Sequence, residues 1–138
     1  MDIGLKLKMI DEALARNANS QLQDVGLTIS QVNLLGVLSQ QENGQTTQRH
    51  LETLLGVSHP TVVGLVKRLE GKGFVHTFFS SEDARMKIVH LTDTGSDIVN
   101  DGSDKRRQAE AWLTRGLSDK ETTQLDRLLG KVLLNLRD

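Results

Sequence analysis

Asp83 and Arg85 flank Ala84, a spacing at which a carboxylate can brace a guanidinium by charge-assisted hydrogen bonds. An arginine held in that way suits the minor groove of DNA, whose negative potential attracts it. Read more plainly, the two form a surface ion pair worth about 0–1 kcal/mol. A second group lies upstream. Ser58, His59 and Thr61 open a helical segment, where free backbone amides attract phosphate. Along that helix Val62, Leu65, Val66 and Leu69 fall on one side. Pro60, Gly64, Lys67, Arg68 and Gly71 fall on the other, with Thr61 and Val63 flanking. A glycine inside a helix costs about 1 kcal/mol relative to alanine. On an outward face Gly64 adds nothing to a core, so its use would be close approach to a base edge or a phosphate. The plainer reading of this face is solvation.

Other chemistries find less support. His50, His59, His76 and His90 show no i,i+4 pairing or other metal-ligand spacing. The chain has no cysteine, which excludes disulfides, thiolate metal sites, a thiol nucleophile and oxidant sensing through a thiol. No Ser-His-Asp motif stands out. Trp112 belongs to a core or a dimer contact, with a ligand cavity as the other option. No enzyme activity, cofactor or metal is expected.

The elements that must position these residues can be read from periodicity. Ile3, Leu7, Ile10, Leu14, Ala18, Leu22 and Val25 mark a long helix from about Ile3 to Asp24. Thr28 and Gln31 have the capping-box form and open a second helix, to about Gln40, with Val32, Leu35 and Leu38 inward. Residues 42–45 read as a turn. Thr47 caps a short helix, about Gln48 to Leu55, with Leu51, Leu54 and Leu55 inward and Gly56 ending it. Ser58 then caps the helix from His59 to Lys72, and Pro60 fits its first turn. Residues 73–79 and Lys87–Leu91 are short runs rich in Val, Ile, Thr and Phe, a β-hairpin with a polar tip. Thr92 caps a helix to about Arg115, and Ser118 to Glu121 form a capping box before the last helix. Its stripe is Leu125, Leu128, Leu129, Val132, Leu133 and Leu136.

The short helix, its glycine turn and the helix after it make a helix-turn-helix, whose second helix enters the major groove. The hairpin supplies a wing. Thr47, at the start of the first of these helices, and Lys87, the other fixed cation of the wing, complete the candidate DNA contacts. The chain of 138 residues suits one domain. Its 3% aromatic content leaves an aliphatic core, which suits packed helices. Residues 45–91 carry six Lys/Arg against four acids, a balance of +2 within a net charge of −1. That bias is mild, and charge alone would not suggest DNA. The start of the chain has no signal-peptide pattern and no stretch matches a membrane span, so a cytoplasmic protein with no membrane partner is expected. The first and last apolar stripes exceed what a small winged domain can cover, which points to a homodimer.

These residues together resemble the multiple-antibiotic-resistance regulator (MarR) family. The resemblance runs through Leu27-Thr28 and Gln31, then Leu51, Leu54-Leu55-Gly56-Val57-Ser58 and Pro60-Thr61-Val62. It continues through Leu65-Val66, Arg68-Leu69-Glu70, Lys72-Gly73-Phe74-Val75, Asp83-Ala84-Arg85, Val89, Leu91-Thr92, Gly95 and Gly116-Leu117-Ser118. It implies a mainly α fold with a small β-hairpin wing: a winged helix-turn-helix over about 28–92, with dimerisation helices over about 3–25 and 93–137. It implies a sequence-specific DNA-binding regulator, mostly a repressor, released by a small, often aromatic, ligand bound between the dimerisation and DNA-binding regions. Two departures stand out. The strand Val75-His76-Thr77-Phe78-Phe79 lacks the basic residues common there, and Ala84 stands where a charged residue is usual. Two alternatives remain: a winged helix used for protein contacts, which near-neutral charge favours slightly, and an enzyme in the helical crevice, which no paired catalytic groups support.

Overall fold

The computed structural model describes residues 1–137. Asp2 caps α1 (Ile3–Val25) by accepting a 2.7 Å hydrogen bond from the Leu5 amide, and Gly26, at φ 68°, closes it in the left-handed region where glycine carries no Cβ penalty. Thr28 and Gln31 form the expected capping box at the start of α2 (Ile29–Ser39). A single 3₁₀ turn at Glu42–Gly44 leads into β1 (Gln45–Thr47), α3 (Gln48–Leu55) and α4 (His59–Gly71). The wing is β2 (Val75–Phe79) and β3 (Lys87–Leu91), and α5 (Asp93–Leu113) and α6 (Asp119–Asn135) follow.

The sheet is antiparallel with order β1-β3-β2. Sequence reading yields the hairpin but not β1. Gln45-Thr46-Thr47 has no apolar alternation, and only its pairing with Ile88, Val89 and His90 makes it a strand. The wing is therefore anchored on both sides of β3.

Two compact units divide the chain, Met1–Ser103 and the residues from 104 onward. In the first, Leu34, Leu35 and Leu38 of α2, Leu51 of α3, Val62, Val66 and Leu69 of α4 and Val89 of β3 are sealed from solvent. The inward face of α4 is the one its periodicity predicts. The inner face of α2 runs through Gln31, Leu34, Leu35 and Leu38, whereas Val32, expected inward, is only half-buried. Leu54 is a second correction: it is 42% exposed. On an eight-residue helix only Leu51 points straight at the core. Leu54 and Leu55 flank it on opposite sides, and only the Leu55 side is covered.

The wing meets α5 through a tight junction. Thr92 Oγ1 accepts from the Gly95 amide at 3.1 Å, the expected N-cap, and donates to the Gly73 carbonyl at 2.7 Å. The Thr92 amide donates to the Phe74 carbonyl at 3.2 Å. A Cβ on Gly95 would lie 2.2 Å from that Phe74 oxygen, so only glycine fits there.

In the second unit, Ser118 and Glu121 form the capping box that starts α6. None of α6 is buried in the single chain, and Leu125, Leu128, Leu129, Val132 and Leu133 are exposed. Trp112 is 47% exposed, so it is not a core residue of the lone chain. No helix is long and apolar enough to cross a membrane among the described residues.

Candidate nucleic-acid interface

The helix-turn-helix is built from three local devices. Thr47 Oγ1 accepts from the His50 amide at 3.0 Å and fixes the start of α3. Gly56, at φ 65°, ends α3 in the left-handed region and turns the chain toward α4. Ser58 Oγ accepts from the Thr61 amide at 3.4 Å and lies 2.9 Å from Thr61 Oγ1, while Pro60 occupies the first turn without wasting a donor. His59 does not hang free at this end: its Nδ1 meets the Glu52 carboxylate on α3.

Burial of Val62, Leu65, Val66 and Leu69 turns the opposite side of α4 outward. Pro60, Thr61, Lys67 and Arg68 are exposed and Gly64 is half-exposed, as the helical period predicts. A Cβ added at Gly64 would meet only Arg68 Nη1, at an ordinary 3.5 Å. Among the described residues nothing requires glycine at this position.

The wing tip is folded on itself. Ser80 donates its amide to the Met86 carbonyl at 2.8 Å, and its hydroxyl accepts from Glu82 and Asp83 amides at 3.2 and 3.4 Å. The Asp83 carboxylate then takes three hydrogen bonds from Arg85. Oδ1 accepts from the backbone amide at 3.0 Å and from Nε at 3.2 Å, and Oδ2 accepts from Nη2 at 3.4 Å. The Arg85 side chain, and after it the Arg85 amide, holds the Asp83 carboxyl below the usual carboxylate range. Arg85 itself is 91% exposed, so a cation stands outward on a fixed base.

Lys87 sits at the start of β3 opposite Phe79 and is half-buried. Its charge acts on Glu70, the last acid of α4. Hydrogen bonds from Thr77, chiefly from its hydroxyl, hold the Glu70 carboxyl below its ordinary range against an opposing cost of burial, with Lys87 and His76 adding to the lowering. Both Thr77 donors reach Glu70 Oε2, the amide at 2.8 Å and the hydroxyl at 2.6 Å. Glu70 thereby ties the recognition-type helix to the wing.

Lys72 changes the charge picture. Its Nζ donates to the Gly26 carbonyl at 2.6 Å and lies 3.4 Å from Gln31 Oε1. One of the six cations counted over residues 45–91 is thus engaged in closing the α1–α2 junction. Sequence reading missed this, and it missed Glu52 and Glu70 as partners of His59 and Thr77. Each of these two pairs lies seven residues apart across a turn, where no helical or strand period connects the side chains. Among the described residues no three His, Asp or Glu side chains gather as a metal site requires.

Residues 25–86, which carry this whole constellation except Lys87, match the MarR family model. The chain is 33% identical over 108 residues to an HTH-type transcriptional regulator, YwoH, of Bacillus subtilis, covering 78% of this chain and 77% of that one. It is 26% identical over 121 residues to the HTH-type transcriptional repressor IacR of Pseudomonas putida, covering 88% and 71%. Among solved structures it is similar to MepR, a transcription regulator of the Staphylococcus aureus multidrug efflux pump MepA, with TM-score 0.85 and 26% identity over 99% of this chain and 100% of that one. The same regulator in complex with DNA matches with TM-score 0.72 and 26% identity over 98% of each chain.

Proposed function

The chain belongs to the MarR family of HTH-type transcriptional regulators, and we propose that it represses transcription by binding an inverted-repeat operator in double-stranded DNA as a homodimer. It is a regulator and not an enzyme. In this reading α4 enters the major groove and presents Thr61, Gly64, Lys67 and Arg68, with Ser58, His59 and Pro60 at its leading end. Thr47 approaches the backbone from the start of α3. Arg85, carried by Asp83 on the wing and accompanied by Lys87, enters the neighbouring minor groove. A small, often aromatic, effector releases the DNA. The protein works in the cytoplasm.

The observation that carries this reading is the outward Arg85 clamped by Asp83 on the same compact unit as the exposed cationic face of α4. Two reading heads fixed to one body are what recognition of adjacent grooves requires. The repressor role is supported by the name of the Pseudomonas relative, and DNA binding by the MepR–DNA complex.

The test is an anisotropy titration against duplexes from the DNA flanking the gene. A two-fold dimer places its recognition helices about one helical turn apart, roughly 34–36 Å. An inverted repeat with that spacing should therefore bind far more tightly than either half-site alone. Equal affinity for half-site and palindrome contradicts the proposal. A second reading, a wing that contacts another protein, is favoured by the exposed Phe78 and Phe79 on β2. Failure to bind any duplex at low salt would favour it.

A further inference from the structure

Glu52 has no place among the outward residues of α3 or α4, yet it touches the first residue of α4. Its Oε1 meets Nδ1 of His59 across the Gly56-Val57-Ser58 turn. The two side chains differ in setting. Glu52 is 22% exposed and His59 is 68% exposed, so the carboxylate is the fixed member and the ring projects from it.

That contact selects which nitrogen of a neutral ring carries the hydrogen. An ionised carboxylate can only accept, so Nδ1 must carry the hydrogen it donates. In a neutral imidazole the other nitrogen is then a bare acceptor. The ring is largely exposed at the leading end of α4, and Nε2 is the nitrogen that the Glu52 contact does not engage. In the major groove the hydrogen-bond donors on base edges are the N6 amino group of adenine and the N4 amino group of cytosine. A neutral Nε2 acceptor has nothing to offer a phosphate oxygen or the acceptor edge of guanine.

We infer that Glu52 is a positioning residue for base recognition: it holds His59 in the Nδ1–H tautomer, so that Nε2 accepts a hydrogen bond from the exocyclic amino group of an adenine or a cytosine. The inference rests on the reading that α4 enters the major groove. Without Glu52 the ring can flip and either nitrogen can carry the hydrogen, so base discrimination falls along with affinity. A carboxylate that merely joined α3 to α4 would affect melting and would not distinguish one base from another.

The experiment uses the full chain and an operator obtained by selection from a random duplex pool. Each adenine of a half-site is replaced in turn by purine, which lacks the amino group, and each cytosine by an analogue lacking its amino group. Wild type should lose about tenfold in affinity at one position, the scale of one hydrogen bond left unmade. H59A and E52A should each be indifferent to that replacement. The double variant should bind like H59A, and E52Q, whose amide oxygen still accepts from Nδ1–H, should recover part of the discrimination. Thermal melts identify any variant that fails to fold, and E52Q then carries the comparison. If E52A keeps wild-type discrimination, or costs the same affinity with or without His59, the proposal falls while the placement of α4 stands. If wild type selects no sequence at all, the placement of α4 falls and the proposal with it.

Discussion

Arg85 owes its position to Asp83. Three hydrogen bonds join the two residues, and the one from the Arg85 backbone amide holds the carboxylate independently of the guanidinium. If the wing enters the minor groove, Arg85→Ala should weaken operator binding by roughly 1–3 kcal/mol and flatten its salt dependence by nearly one unit of slope. Asp83→Ala removes a negative charge, so bulk electrostatics alone would strengthen binding. Bracing predicts the opposite sign, and anisotropy titrations at several salt concentrations read that sign directly. Both variants should melt with the wild type, since the pair is exposed. Gly64 offers a second test at this scale. A Cβ there meets only the flexible end of Arg68, so Gly64→Ala should stabilise the fold by about 1 kcal/mol through helix propensity. If the glycine lets α4 approach DNA closely, the same variant should bind more weakly by about 1–3 kcal/mol. A variant that is more stable and binds as wild type removes that role.

At the scale of elements, the sequence expectation and the structure agree most closely where caps and apolar periods coincide. Ser58, Thr47, Thr28 and Ser118 each cap the helix they were expected to start. They fail to agree where a single element is too short to carry a period, as in β1, or too narrow to bury its flank, as at Leu54. Gly95 shows how an element end can hold a constraint that no propensity reveals. It sits in the first turn of α5 against the Phe74 carbonyl, which also accepts the Thr92 amide. Gly95→Ala must push that carbonyl aside or shift α5, and overpacking of this kind costs about 1–3 kcal/mol. A lowered urea midpoint with an unchanged slope is the expected result. An unchanged midpoint would show that the wing–α5 junction yields without cost.

At the scale of the molecule, two apolar surfaces lack cover in the single chain. On α1, Ile3, Leu7 and Ile10 are exposed, and on α6 so are Leu125, Leu128, Leu129, Val132 and Leu133. Stripes of this length seldom face water in a soluble monomer. Burial of one leucine or isoleucine side chain stabilises by about 1.5–3 kcal/mol, so a partner covering even part of these helices would bind firmly. Light scattering at micromolar concentration should give twice 15.3 kDa. A clean monomer would remove the homodimer from the proposed function and with it the inverted-repeat operator.

Neighbours within one element are enough to specify part of the candidate interface. The outward set Pro60, Thr61, Lys67 and Arg68 follows from the helical period of Val62, Leu65, Val66 and Leu69, and the Asp83–Arg85 brace follows from a two-residue spacing at a hairpin tip. Contacts between elements distant in the chain specify the rest. Lys72 reaches Gly26 from 46 residues away, Glu70 takes both donors of Thr77, and Gln45 to Thr47 become a strand only because β3 is beside them. The reason is physical: propensity and period act through bonds a few residues long, whereas these partners are chosen by how the core of α2, α3, α4 and β3 closes, and closure fixes which polar atoms are left facing each other.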